Sequence, residues 1–449
     1  MSSPSSPPYS EVSFTINDLP PEILAKIFHA HMFHTDKSDA AVTNGDDDEI
    51  WFPVFIPHPP FAPLLFSRVC SYWRNVSIST PVLWSAIAIR CAFNLQTVSL
   101  WLERSQHCPL TLLVDLDDEP RRKATSEFSP TVIQRLLETL YKTIPRWKRV
   151  SLHLPKATYI QNALFALIPE EGKSPAILLE YLHFSSKTPR LELDPDILSP
   201  QSLARLSSFP HRTLTHLRWP GNNCVTMPNT SLVANLATSF WANLQQMSFT
   251  FVALEHLLTF LKSCPRLNVI NVRSLLAHYD VHVPSKIVAD NLHVLRIAIL
   301  HGELSKLTKN LATPRLKGLD IGFPFNHGDS FILQEFLDGS GCKLEHLCIG
   351  CSRSGPDAEI QTMLHLPTFA KIPNLSMQLS SLSPKFMKKF KEEWAVHKPT
   401  AYIRHAESSN NNDYRLGWGT SLNAIPSTLA THPNYPLIVY NPRPRARKP

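Results

Sequence analysis

The segments LTHLRW (214–219), LQQMSF (244–249), LNVINV (267–272), LHVLRI (292–297), LKGLDI (316–321) and LEHLCI (344–349) share one pattern, with apolar residues first, fourth and sixth. Their first residues, at 214, 244, 267, 292, 316 and 344, are 30, 23, 25, 24 and 28 positions apart. That interval holds one strand, one turn and one returning helix or irregular segment. The fourth and sixth residues of each copy lie two apart, so they share one face of a strand. Looser copies stand upstream at Trp147-x-x-Val150-x-Leu152 and Leu179-x-x-Leu182-x-Phe184, and a last one at Ile372-x-x-Leu375-x-Met377. Residues 91–380 are therefore expected to form a repeat array, with helical stretches such as 231–240, 254–263 and 331–337 as its outer layer.

In this register the side chains flanking each fourth residue point away from the core. They are His216 and Arg218, Gln246 and Ser248, Val269 and Asn271, Val294 and Arg296, Gly318 and Asp320, and His346 and Cys348. Charges, amides and small apolar groups alternate along this line, which suits a protein surface better than a phosphate track of one sign. The candidate target-binding residues are His216, Arg218, Gln246, Ser248, Asn271, Arg296, Asp320 and His346, and nucleic acid is disfavoured as a partner.

The segment 15–90 reads differently. Asn17, Asp18, Leu19, Pro20, Pro21 and Glu22 can open a helix, because polar side chains cap its orphan donors and proline needs no helical bond in the first turn. Leu19, Ile23, Leu24, Ile27 and Phe28 then lay an apolar stripe along it. Residues 34–60, with Asp46, Asp47, Asp48 and Glu49 and four prolines, read as an acidic insertion. A second helix is expected over 63–76, with Leu65, Val69, Tyr72 and Val76 on one stripe and Phe66, Cys70 and Trp73 beside it. Its apolar arc is wide enough to pack on the first helix and still present a surface to a partner.

LPPEILAKIF (19–28) and VCSYWRNVSISTPVLW (69–84) resemble the F-box, a helical module that joins a Skp-family adaptor within a cullin-RING ubiquitin ligase. The resemblance implies that Leu19, Pro20, Ile23, Leu24, Ile27, Val69, Cys70 and Trp73 include the adaptor-facing and core-forming positions. Sequence alone does not separate these two roles. The repeats resemble leucine-rich repeats, with the turn asparagine present as Asn222 and replaced by Ser352 after the last copy. The fold implied is α/β: an F-box-like helical module, then an irregular leucine-rich-repeat solenoid whose curved parallel sheet presents the flanking residues on its concave side. The function implied is a substrate-recognition adaptor of a Skp-cullin-F-box ligase, without catalytic residues of its own, serving ubiquitin-dependent degradation. The rival reading is a leucine-rich-repeat scaffold that does not direct ubiquitination.

Composition narrows the classes further. With 449 residues, 43% of them hydrophobic, the chain can bury a large core. Thirteen glycines against 39 prolines leave few sites for backbone to wrap a phosphate, and no GxxxxGK[ST] or GxGxxG motif is present. The first residues lack a secretory pattern and no apolar run spans a bilayer, so a cytoplasmic or nuclear chain with eight reduced cysteines is expected. Of the +7 net charge, Arg443, Arg445, Arg447 and Lys448 supply four units in a basic tail, 441–449. Residues 1–14 are expected to be disordered, and 381–440 to cap the array through a helix over 383–397.

Neither a metal nor a cofactor is expected. Cys342, His346, Cys348 and Cys351 approach zinc-like spacing, yet two of them share a strand that the other two flank. LTLLVDLD (110–117) reads as a strand entering a charged turn, not as a cation site. A catalytic centre in 90–200 would need converging titratable groups, and the sequence displays none.

Overall fold

The computed structural model describes residues 15–33, 63–89, 93–116, 129–167, 175–186, 213–219, 242–249, 252–277, 286–323, 328–351, 357–379 and 402–405. Outside them lie the expected disordered start, the acidic insertion, the helix at 231–240, Asn222, Ser352, the acidic residues 117–119, the capping helix at 383–397 and the basic tail.

The N-terminal residues build a small helical module. A 3-10 turn, Ile16–Asp18, leads into α1 (Pro21–Phe33), and Asp18 closes the turn by accepting from Thr15 N at 2.7 Å. One stripe of α1, Leu24, Phe28 and Met32, is buried at the four-residue spacing of a single helix face. The expected continuous helix over 63–76 is instead a 3-10 turn, Phe66–Arg68, followed by α2 (Ser71–Ser79). The break falls at Cys70, whose extended backbone (φ −154°, ψ 175°) lets its Sγ accept from Trp73 N and cap α2. Phe66 stacks on Phe28 at 4.1 Å between ring centroids, and Val76, Leu83 and Trp84 complete this core.

Every strand pairing among the described residues is parallel. The strands are β1 (Ala86–Ile89), β2 (Leu110–Asp115), β3 (Trp147–Leu154), β4 (Tyr181–Ser186), β5 (His216–Trp219), β6 (Gln246–Phe249), β7 (Val252–Ala253), β8 (Val269–Ala277), β9 (Ile287–Val288), β10 (Val294–Gly302), β11 (Leu311–Ala312), β12 (Gly318–Gly322), β13 (His346–Cys351), β14 (Asn374–Leu379) and β15 (Tyr402–His405). The main sheet runs β1-β2-β3-β4-β5-β6-β8-β10-β12-β13-β14-β15, with β7 beside β8, while β9 and β11 form a separate pair. Each principal strand thus lies beside the one before it, and the order never reverses. All six strands expected from the repeats are present, as β5, β6, β8, β10, β12 and β13. The sheet begins at Ala86, inside the segment 15–90 expected to form the helical module, because alternating Ile87 and Ile89 enter the sheet's core.

Parallel neighbours require crossovers, and among the described residues helices lie on those from β1 to β4, from β6 to β8 and from β10 to β14: α3 (Leu95–Arg104), α4 (Pro130–Tyr141), α5 (Ala157–Leu167), α6 (Leu254–Ser263), α7 (Leu304–Asn310), α8 (Asp329–Ser340), α9 (Asp357–His365) and α10 (Pro367–Lys371). Their buried apolar residues share one core with the strand row Leu112, Val150, Leu182, Leu217, Met247, Ile270, Leu295, Leu319, Leu347 and Leu375. A second ladder fixes the strand bases. Thr215, Gln245, Asn268, His293, Lys317, Glu345 and Asn374 each donate a backbone N–H to the previous strand's entry, at 2.7–3.2 Å.

Neighbouring units also cap one another's helices. Glu359 of α9, 3% exposed, accepts from Gly328 N at 3.1 Å, Ser330 N at 3.3 Å and the Ser330 hydroxyl, satisfying donors at the start of α8. At the other end Gly341 adopts φ 65°, a left-handed turn that suits glycine, and returns its N–H to the Leu337 and Asp338 carbonyls. The helical module joins the sheet through two tryptophans: Trp84 meets Trp101 edge-on at 5.1 Å, and the Arg104 guanidinium lies 4.4 Å above the Trp84 ring.

Candidate functional site

Two surfaces bring the sequence-derived site residues together. On the helical module, the structure separates core from surface among them. Leu24 is fully buried and belongs to the module's own core, a correction to its place among candidate contact residues. Ile23 and Ile27, one step around the same helix, are 42% and 40% exposed, and Val69 is 60% exposed. Pro20 is exposed, whereas Leu19, Cys70 and Trp73 are partly buried and hold the module together. Tyr72 donates its hydroxyl to the Leu19 carbonyl at 2.6 Å, and Trp73 donates its indole N–H to Asn17 Oδ1 at 3.0 Å. These bonds pin the entry of α1 against α2, so the apolar side chains at 23, 27 and 69 are presented from a fixed frame. Ile16 and Leu65, at 45% and 39% exposure, extend the apolar character of the module's surface.

The second surface is the sheet face opposite the leucine core. Strand register aligns two polar rows across it. The first runs Arg149, Tyr181, His216, Gln246, Val269, Val294, Gly318, His346 and Asn374. The second runs Ser151, His183, Arg218, Ser248, Asn271, Arg296, Asp320 and Cys348. All eight expected target-binding residues fall on these rows. They are less open than expected, however: Ser248 and Arg296 are each 5% exposed, and His216, Arg218, Gln246, Asn271, Asp320 and His346 are partly buried. A direct contact role is therefore corrected for Ser248 and Arg296, whose neighbours along the rows shield them.

Burial governs the electrostatics here. It lowers the Arg296 guanidinium to about 10, against the pull of Asp320 and Cys348. It raises the Asp320 carboxyl to about 6, opposed by Arg296 and the Cys348 thiol. His216 is pushed down to about 4 by burial and then by Arg149, with Glu180 acting in the opposite sense. His183 is driven well below the usual histidine range by burial, then by Arg218 and His153.

One cluster on this face lies outside the expected site residues. Ser151 Oγ lies 2.9 Å from His153 Nε2 and 2.8 Å from His183 Nδ1, and the two rings meet edge-on at 4.7 Å. A hydroxyl has one proton to give, so one ring nitrogen accepts it and the other donates to the oxygen. Asp115 stands opposite His153 on β2. An Asp, His and Ser grouping invites a nucleophilic reading, but Ser151 is 1% exposed and sealed from any substrate. The cluster ties β3 to β4, and burial keeps His183 neutral there. Extending the flanking-residue rule to the looser copies at 147–152 and 179–184 would have found Arg149, Ser151, Tyr181 and His183.

Among the described residues, no three His, Cys, Asp or Glu side chains are grouped to hold a metal ion. Cys342 packs against the apolar core while Cys348 sits on the polar face of the sheet, so the two thiols do not converge. No helix among the described residues is long and apolar enough to cross a membrane. The chain matches no protein-family model, and no curated protein matches it.

Proposed function

We propose that the chain is an F-box protein with degenerate leucine-rich repeats, acting as the substrate-recognition adaptor of a Skp-cullin-F-box ubiquitin ligase. The observation that carries this reading is the division of apolar residues in the helical module. Leu24, Phe28, Met32, Phe66, Val76, Leu83 and Trp84 already close its core, yet Ile23, Ile27 and Val69 remain exposed on a rigid frame. Apolar side chains left outside a complete core have the character of a docking surface for a partner. Their position within the LPPEILAKIF and VCSYWRNVSISTPVLW segments points to a Skp-family adaptor.

The sheet supports the second half of the reading. One-way strand order, helices returning to a common core and a face lined by mixed polar residues are what a leucine-rich-repeat solenoid offers a protein target. The mechanism is proximity. The module holds the ligase core, the sheet face holds the target, and the effective concentration of target lysines near a charged ubiquitin-conjugating enzyme rises. Catalysis belongs to the partners.

Affinity purification of the full chain tests the assignment. Recovery of a Skp-family adaptor together with a cullin is the expected outcome. Recovery of the adaptor without a cullin favours a scaffold role, and recovery of neither removes the F-box reading.

A further inference from the structure

We propose that the sheet face receives an extended acidic peptide, laid obliquely across β3 to β8, with carboxylates three or four residues apart. This rests on the reading of that face as the target surface and adds the chemistry of the target.

Three arginines carry the inference. Arg149 occupies the first polar row on β3, and Arg218 the second row on β5. Arg273, exposed, stands two residues beyond Asn271 of the second row on β8. Each step along this diagonal therefore crosses two strand gaps, β3-β4-β5 and then β5-β6-β8, and climbs two residues. With strand gaps of about 4.8 Å and a rise of about 3.3 Å per residue, successive arginine positions are about 12 Å apart. An extended peptide covers that distance in three to four residues, so a regular acidic spacing meets all three guanidiniums.

The diagonal keeps a positive balance, because Lys148 and Arg149 together outnumber the acid they share. Glu180 sits at the base of β4, paired with Lys148 at 3.4 Å and Arg149 at 3.9 Å, and Asp115 lies on β2 beyond the diagonal. Between Arg218 and Arg273 the rows hold the uncharged Gln246, Ser248 and Asn271. The nearby His183, which is buried, and the half-buried His216 stay neutral at pH 7 and add no charge. Guanidinium in place of ammonium also favours a carboxylate, because its planar fork meets two oxygens at once.

The probe is a fluorescent dodecapeptide of serine and glutamine carrying three glutamates spaced three and four apart, compared with an isomer in which the glutamates are adjacent. The full chain is expected to bind the spaced peptide more tightly. Changing Arg149, Arg218 and Arg273 together to Gln should weaken it about tenfold, the sum of three modest ion pairs. The matched variant Lys262→Gln, Lys309→Gln, Lys371→Gln, on α6, α7 and α10, removes the same charge from the outer layer and should leave binding unchanged. Equal binding of the isomers, equal loss in the lysine variant, or stronger displacement by a single-stranded oligonucleotide of the same charge would overturn the proposal. Should the peptide fail to bind while Asn271→Trp still abolishes target capture, the acidic chemistry falls and the role of the face survives.

Discussion

Trp73 donates its indole N–H to Asn17 Oδ1 at 3.0 Å, a bond between residues 56 positions apart that ties the entry of α1 to α2. The ring also lies 4.9 Å from Phe28, so one side chain serves both the junction and the core. Its position explains how a short helical unit holds exposed isoleucines in fixed places.

This junction has a modest energetic signature. Asn17 is exposed, and water replaces the lost donor in Trp73→Phe, so the variant should lose about 1 kcal/mol or less. Phe28→Ala removes a ring that is 1% exposed and stacked on Phe66, and should cost about 3–5 kcal/mol. Urea titration followed by tryptophan fluorescence reads both, and a reversed ranking would contradict the packing described.

Glu359 should be among the costliest single polar residues. Glu359→Ala leaves Gly328 N and Ser330 N without their carboxylate acceptor, at a cost of about 2–3 kcal/mol. Glu359→Gln keeps an accepting oxygen and should recover part of that loss. Protection of the first amides of α8 against hydrogen exchange is the direct readout.

Acid sensitivity should follow from the sheet face. His183 and His216 have folded pKa values below the ordinary 6.5, so the unfolded chain binds more protons between the two values. Their contribution is present above pH 6.5 and is lost as the pH falls towards about 4 for His216 and lower for His183. Asp320 acts in the opposite sense: raised from 3.8 to about 6, its contribution is present below pH 3.8 and is lost as the pH rises through 6. His216→Gln should therefore flatten the fall in urea midpoint between pH 7 and 4.5, and Asp320→Asn should steepen it.

Much of the sheet was legible because Leu217 and Trp219, or Leu295 and Ile297, obey a period of two inside a repeat of constant sense. The roles of Ile23 and Leu24 were not, since adjacent helical residues differ by about 100° around the axis and only the packing of α2 decides which one is covered. The break at Cys70 was hidden for a related reason: an apolar stripe continues through it, while the cap depends on a sulfur reaching the Trp73 amide. The Ser151, His153 and His183 cluster joins β3 to β4, and no spacing within one strand discloses which hydroxyl a neighbouring register delivers. The burial of Arg296 likewise arises across strands, where Asn271 and Asp320 flank it in register.

The most direct test is a titration of the full chain with a purified Skp-family adaptor. The wild-type chain should bind it, and Ile23→Asp combined with Ile27→Asp should weaken binding by about 100-fold or more while the circular dichroism spectrum and unfolding midpoint stay unchanged. Undiminished affinity in that double variant, or no binding by the folded wild-type chain, would contradict the adaptor assignment.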